Sequence, residues 1–193
     1  MKNINNMHFE FRTSPSHENV NCHFAETEYN RKMIEEIIGN IIADFIKVCA
    51  LAKITMKVED IMIEKLNAGA EHKPTNLPKG NMAVYIFINE FENCCYKVGK
   101  VGENSNARYQ SQHYNSESSK SNLAKSIIND YNINHNIEIQ QNVGNWIKQN
   151  TTRINLKLSA EKGVFTLNLL EAFVQNRLKP KYEGHKSQQI KLV

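Results

Sequence analysis

Apolar residues recur at helical spacing across residues 27–53, where Ile34, Ile38, Ile41, Phe45, Val48 and Ala52 fall on one side. The interval predicts an amphipathic helix of about seven turns. A second helix is expected over 58–67, with Val58, Ile61, Met62 and Leu66 on one side and Gly69 as its stop. Residues 1–24 read as an irregular arm, and 70–82, with Pro74, Pro78 and Gly80, as a long loop. The period then shortens to two. AVYIFI at 83–88 and CCYKVG at 94–99 predict two strands joined by a turn of hairpin length. Short helices follow near 107–113, capped by Ser105 or Asn106, and over 122–131. NIEIQ at 136–140 and RINLKLS at 153–159 alternate as strands, with Trp146 between them in a short helix. A last helix covers Val164 to Leu178 and is closed by Pro180. Helices, a hairpin, more helices, isolated strands and a final helix make an α+β order, unlike the regular alternation of a doubly wound parallel sheet.

At 193 residues the chain suits one domain with a real core, or one domain with a helical appendage. With 40% apolar and 23% charged residues it has the composition of a soluble globular protein. No apolar run approaches the roughly 18 residues of a bilayer crossing, and MKNINNMHFEF lacks the apolar centre of a secretory signal, so a cytoplasmic location without membrane partners is expected. The four cysteines form no C-x-x-C pair. Cys94 and Cys95 are neighbours in a strand, point to opposite faces and cannot jointly hold one zinc. The excess of 24 Lys and Arg over 20 Asp and Glu leaves a net charge of +4. That balance suits a polyanionic partner, particularly because the basic residues concentrate in 97–100 and 177–191.

Three features resist a purely structural reading. Glu171 lies about 40° from Leu167 and about 20° from Leu178 around its helix, inside the apolar stripe. A carboxylate there needs a partner, unless the stripe is rotated toward Leu170, Phe173 and Val174. The run KVGKVGENSNARYQSQHY brings Lys97, Lys100, Arg108 and His113 close in sequence, either as a solvated loop or as one edge of a groove suited to phosphate oxygens. Tyr85 alternates with Val84 and Ile86, so it shares a strand face with Ala83 and Phe87.

AVY at 83–85, YKVG at 96–99, Arg108, His113 and a distant helical Glu171 ahead of a proline together resemble the GIY-YIG nuclease superfamily, over roughly residues 82–184. Tyr85 stands for the tyrosine of the first triplet, and Lys97 replaces the tyrosine of the second, a variant similar to some restriction endonucleases of the superfamily. Glu183 stands where relatives often carry asparagine. The resemblance implies a small antiparallel sheet flanked by helices over 81–193, with a helical extension over 1–80 that contacts DNA or dimerises. It implies a metal-dependent endonuclease, expected to be a restriction-type enzyme that cuts double-stranded DNA as a homodimer. Tyr85 would be the general base, with Lys97, Lys100 and Arg108 favouring its phenolate and His113 relaying the proton. Arg108 would also stabilise the phosphoryl oxygens, and Glu171 would hold Mg2+ or Mn2+. Lys100, Tyr96, Lys179 and Lys181 are the expected substrate contacts. A catalytically dead nucleic-acid-binding module and a repair or mobile-element nuclease are the neighbouring readings.

Overall fold

The computed structural model describes residues 20–118, 123–130, 139 and 141–182, with side chains from Lys32 onward. Helix α1 spans Val20–Leu51 and turns Ile34, Ile38, Ile41, Ile42, Phe45 and Cys49 into the core. Ile42 and Cys49 thus take the places expected for Val48 and Ala52. The helix ends where Lys53 adopts a left-handed φ of 58° and the Ile54 N–H returns to the Cys49 carbonyl at 2.8 Å.

The helix expected over 58–67 is a correction. Val58–Asp60 forms one 3-10 turn, closed by Asp60 accepting the Lys57 N–H at 2.8 Å, and Met62–Leu66 is strand β1. The apolar residues there fit a helical spacing, but the open edge of another strand offers five residues a backbone ladder. That pairing outweighs a weak local preference.

Strands β2 (Asn81–Asn89) and β3 (Cys94–Val101) make the expected hairpin. Beyond it come α2 (Asn106–Gln110), a 3-10 turn at Gln112–Tyr114, α3 (Leu123–Ile128), α4 (Val143–Asn150), β4 (Thr152–Ser159) and α5 (Val164–Leu178). The strand expected at 136–140 lies outside the described residues except for Ile139, which is helical. The four strands form one antiparallel sheet in the order β1-β4-β2-β3. The class is α+β, and among the described residues no helix is long and apolar enough to cross a membrane.

Helices cover both faces of the sheet, which is why β2, at its centre, is buried almost throughout. On one face Val84, Ile86, Ile88, Val98, Ile154, Leu156 and Leu158 pack under α1 and α5. On the other, Ala83, Tyr85, Phe87 and Val101 meet Tyr109 of α2, Leu123 and Ile127 of α3, and Val143 and Ile147 of α4. The boundary expected at residue 80 cuts through this architecture, because α1 and β1 share the core and the sheet with the segments after it.

Phe45 is fully buried under the first face. Phe45→Ala is expected to cost about 3–5 kcal/mol in urea unfolding. Trp146, the only tryptophan, sits beyond the opposite face. Its fluorescence and the far-UV circular dichroism should report one shifted midpoint if α1 is part of a single cooperative unit.

Candidate active site

Register sets the corner. In β2 and β3, Tyr85 stands opposite Gly99 and Val84 opposite Lys100. Across an antiparallel pair, opposed residues share a face, so Tyr85 and Gly99 look toward α2 while Lys100 looks toward α5. The Tyr85 ring lies across Gly99. A Cβ on Gly99 would overlap the Tyr85 hydroxyl and come within 2.6 Å of its Cζ. Only glycine lets the phenol cross to the outer strand.

Arg108 on α2 donates its Nε to the Tyr85 hydroxyl at 3.3 Å. Glu171, from the middle of α5, accepts a short hydrogen bond from Lys100 Nζ, and its side chain is 18% exposed. The partner that a carboxylate on an apolar stripe requires is therefore Lys100. Glu171 is also close enough to Tyr85 for its charge to oppose the phenolate. Tyr85, Arg108, Lys100 and Glu171 thus meet around the edge of β3, approached from both faces of the sheet.

Burial pushes the Tyr85 phenol above its ordinary pKa, against the charge and hydrogen bond of Arg108 and the charge of Arg153. The resting group is neutral phenol, so the expected lowering of its pKa by neighbouring cations is overruled by desolvation. His113 packs its ring 4.5 Å from that of Tyr85 and is 1% exposed. Its Nδ1 accepts the Leu123 N–H at 3.3 Å, which leaves the proton of the neutral ring on Nε2. Burial and the charges of Arg153, Lys97 and Arg108 hold the His113 pKa well below 6.5. With Nδ1 occupied and Nε2 already protonated, His113 has no site to accept the phenolic proton; it supports the ring instead of relaying.

Lys97, opposite Phe87, is buried and donates to the Tyr182 carbonyl at 3.3 Å. A bulge between Phe87 and Ile88 places Tyr96 on the same side as Lys97. Tyr96 is fully buried, stacks on Trp146 and accepts the Asn89 Nδ2 hydrogen bond at 2.8 Å, so it presents nothing to a substrate. Lys181 pairs with Asp130 at 3.0 Å, and its N–H bonds the Cys95 carbonyl at 2.8 Å, fastening the segment after α5 to β3. Its ammonium is committed to that joint. Lys179 caps α5 in a left-handed conformation and is exposed. Glu183 lies outside the described residues.

A polar network behind Tyr85 has no counterpart in the sequence reading. The register aligns Glu64, Asn155, Tyr85 and Gly99 across the four strands, and Arg153, Phe87 and Lys97 in the next row. Glu64 accepts from Tyr109, from Asn155 Nδ2 at 2.7 Å and from Lys157 at 3.3 Å. Burial favours its neutral acid, but these bonds bring its pKa below the usual value. Arg153, fully buried, donates Nε to Asn155 at 2.8 Å and Nη1 to the Tyr114 hydroxyl at 3.3 Å. His72 completes the chain with Nδ1 on the Thr151 carbonyl at 2.8 Å and Nε2 on the Tyr114 hydroxyl at 2.6 Å. A carbonyl only accepts, so Nδ1 carries the proton and Nε2 accepts from Tyr114. A groove of about 540 Å3 runs past Pro74, Gln110, Tyr114 and Lys148, and no residue of the Tyr85 corner lines it.

Among the described residues no three His, Cys, Asp or Glu side chains converge as a metal cage. Glu171 alone offers the hard oxygen of a Mg2+ ligand at the corner. That donor fits an ion which takes its other ligands from water and phosphate. No family model matches this chain, and neither a curated protein nor a solved structure matches it.

Two outcomes follow from the geometry. Gly99→Ala should cost about 1–3 kcal/mol in denaturant unfolding, because the Tyr85 ring has to leave its place. His72 is depressed to about 4, mainly by burial. Its neutral form is favoured in the fold, so stability is greatest above the unfolded pKa and falls as pH drops from about 6.5 to about 4. The share due to His72 is about 3 kcal/mol by pH 4. In urea titrations at stepped pH, His72→Gln should lose that share while the share of His113 remains.

Proposed function

We propose that the protein is a metal-dependent endonuclease of the GIY-YIG kind, hydrolysing phosphodiester bonds in double-stranded DNA as a restriction-type homodimer. The observation that carries this reading is the meeting of Tyr85, Arg108, Lys100 and Glu171 at the β3 edge, from four separate elements. Phosphodiester hydrolysis needs an activated water and neutralisation of charge on the transferring phosphorus. These four side chains have the chemistry for both.

Arg108 brings a planar fork of donors to the nonbridging oxygens. In the resting protein its Nε occupies the Tyr85 hydroxyl; engaging a phosphate draws it off and opens the phenol oxygen to water. Lys100 holds the Glu171 carboxylate in place through their ion pair. Glu171 is the residue that would bind Mg2+ or Mn2+, and such an ion would supply Lewis acidity to the reaction. Tyr85 first releases its own proton to solvent, and the resulting phenolate takes the proton from the attacking water. Ionising an ordinary phenol at pH 7 costs about 4 kcal/mol, and burial of Tyr85 adds to that cost. One such site cuts one strand, which is the reason for two copies.

Incubation with supercoiled plasmid and Mg2+ tests the reading. Wild type should linearise the plasmid, while Tyr85→Phe and Glu171→Gln should each lose roughly 100-fold or more. A mobility shift without cleavage by wild type would make the chain a binding module instead. Because the phenol is neutral at rest, the single-turnover rate should climb about tenfold per pH unit between pH 6 and 8. A flat profile there removes Tyr85 as the base.

A further inference from the structure

Among the described residues Arg153 is the largest fully buried side chain, and it carries a charge without a carboxylate of theirs within ion-pair distance. Its Nη2 is buried with no hydrogen-bond partner. Its guanidinium lies over three rings, 4.7 Å from the centroid of Tyr109, 5.3 Å from Phe87 and 5.6 Å from Tyr85. Glu64 is reached only through the Asn155 amide, which accepts from Arg153 and donates to Glu64. A buried cation with an empty donor is costly, and an apolar side chain of similar size would serve packing better. Something other than packing has to account for it.

The group that lacks a counter-ion stands beside the group that must become an anion. We propose that Arg153 is the built-in counter-charge of the Tyr85 phenolate, a positioning residue that acts on the hydroxyl through the ring and never touches substrate. The inference rests on the reading of Tyr85 as the base. Around Tyr85 stand Arg108 from α2, Arg153 from β4, His113 from the 3-10 turn and Glu171 from α5, with Lys97 of β3 beside His113. Arg108 is drawn to the phosphate in the proposed mechanism and Glu171 opposes the phenolate. His113 is neutral. Arg153 is therefore the cation that stays with the phenol through the reaction. Its attraction for a ring is modest in the neutral state and grows once the oxygen is charged, which is the differential that catalysis requires.

The test uses the full chain labelled with 3-fluorotyrosine, whose more acidic phenol brings the titration into the stable pH range. The Tyr85 fluorine signal is identified by its loss in Tyr85→Phe. Arg153→Met should keep or raise the thermal midpoint, move the Tyr85 titration to higher pH, and lower the cleavage rate at pH 7 roughly tenfold while the rising limb of the pH profile shifts alkaline. Arg153→Lys, which keeps the charge, should restore both the titration and the profile toward wild type. A Tyr85 titration unchanged in Arg153→Met overturns the proposal. So does an Arg153→Met protein that fails to fold while Arg153→Lys folds with a shifted Tyr85 titration, because the guanidinium would then be a structural need. If Tyr85→Phe cleaves like wild type, the base assignment falls separately, and the fluorine titration still decides whether Arg153 and Tyr85 are paired.

Discussion

The phenol of Tyr85 lying across Gly99 is the contact on which the corner depends. A side chain in the middle of a four-stranded sheet normally ends inside one layer of the core. Because the opposed residue has no Cβ, this one passes over the outer strand and brings its oxygen to the sheet edge. At that edge a group from each face can reach the same place, Arg108 from the α2 side and Glu171 with Lys100 from the α5 side. Without the crossing, the two halves of the site would be separated by the thickness of the sheet.

The electrostatics of the second face follow from the same packing. Arg153 and Lys97 are buried on either side of Phe87, and Arg108 is half-buried nearby, while Glu64, a carboxylate of that face, is engaged by Tyr109, Asn155 and Lys157. Positive charge is in excess where water is excluded. Burial first, and that positive charge second, hold His72 and His113 neutral. Tyr85 feels two opposing effects, desolvation that keeps its proton and guanidinium charge that would welcome its loss, and in the resting protein desolvation prevails. In the proposed mechanism, a phosphate that draws Arg108 away would change that balance.

Much of this was legible in the chain, and the exceptions have physical reasons. The α1 stripe, the hairpin, β4 and α5 were all visible because one face of each is continuously apolar over several periods. Met62–Leu66 has a helical spacing and yet is a strand, since five residues are too few to separate a helical from an extended period. Tyr96 lost its expected surface position to a bulge, which strict alternation cannot foresee. Lys181, expected as a substrate contact, is held back because its backbone pairs with β3 and Asp130 comes to meet it. Arg153 and Asn155 were passed over because alternate polar residues in a strand look the same whether their face meets water or a second layer of helices.

The amino-acid sequence by itself determined the order and spacing of Tyr85, Gly99, Arg108 and Glu171, which are properties of local sequence. Tertiary structure alone decided that Lys100 belongs to Glu171, that His113 has its Nδ1 occupied, and that an arginine from β4, with no carboxylate partner among the described residues, lies behind the phenol. Each of those depends on strand register and on what covers a face, and neither is encoded by any short stretch of chain.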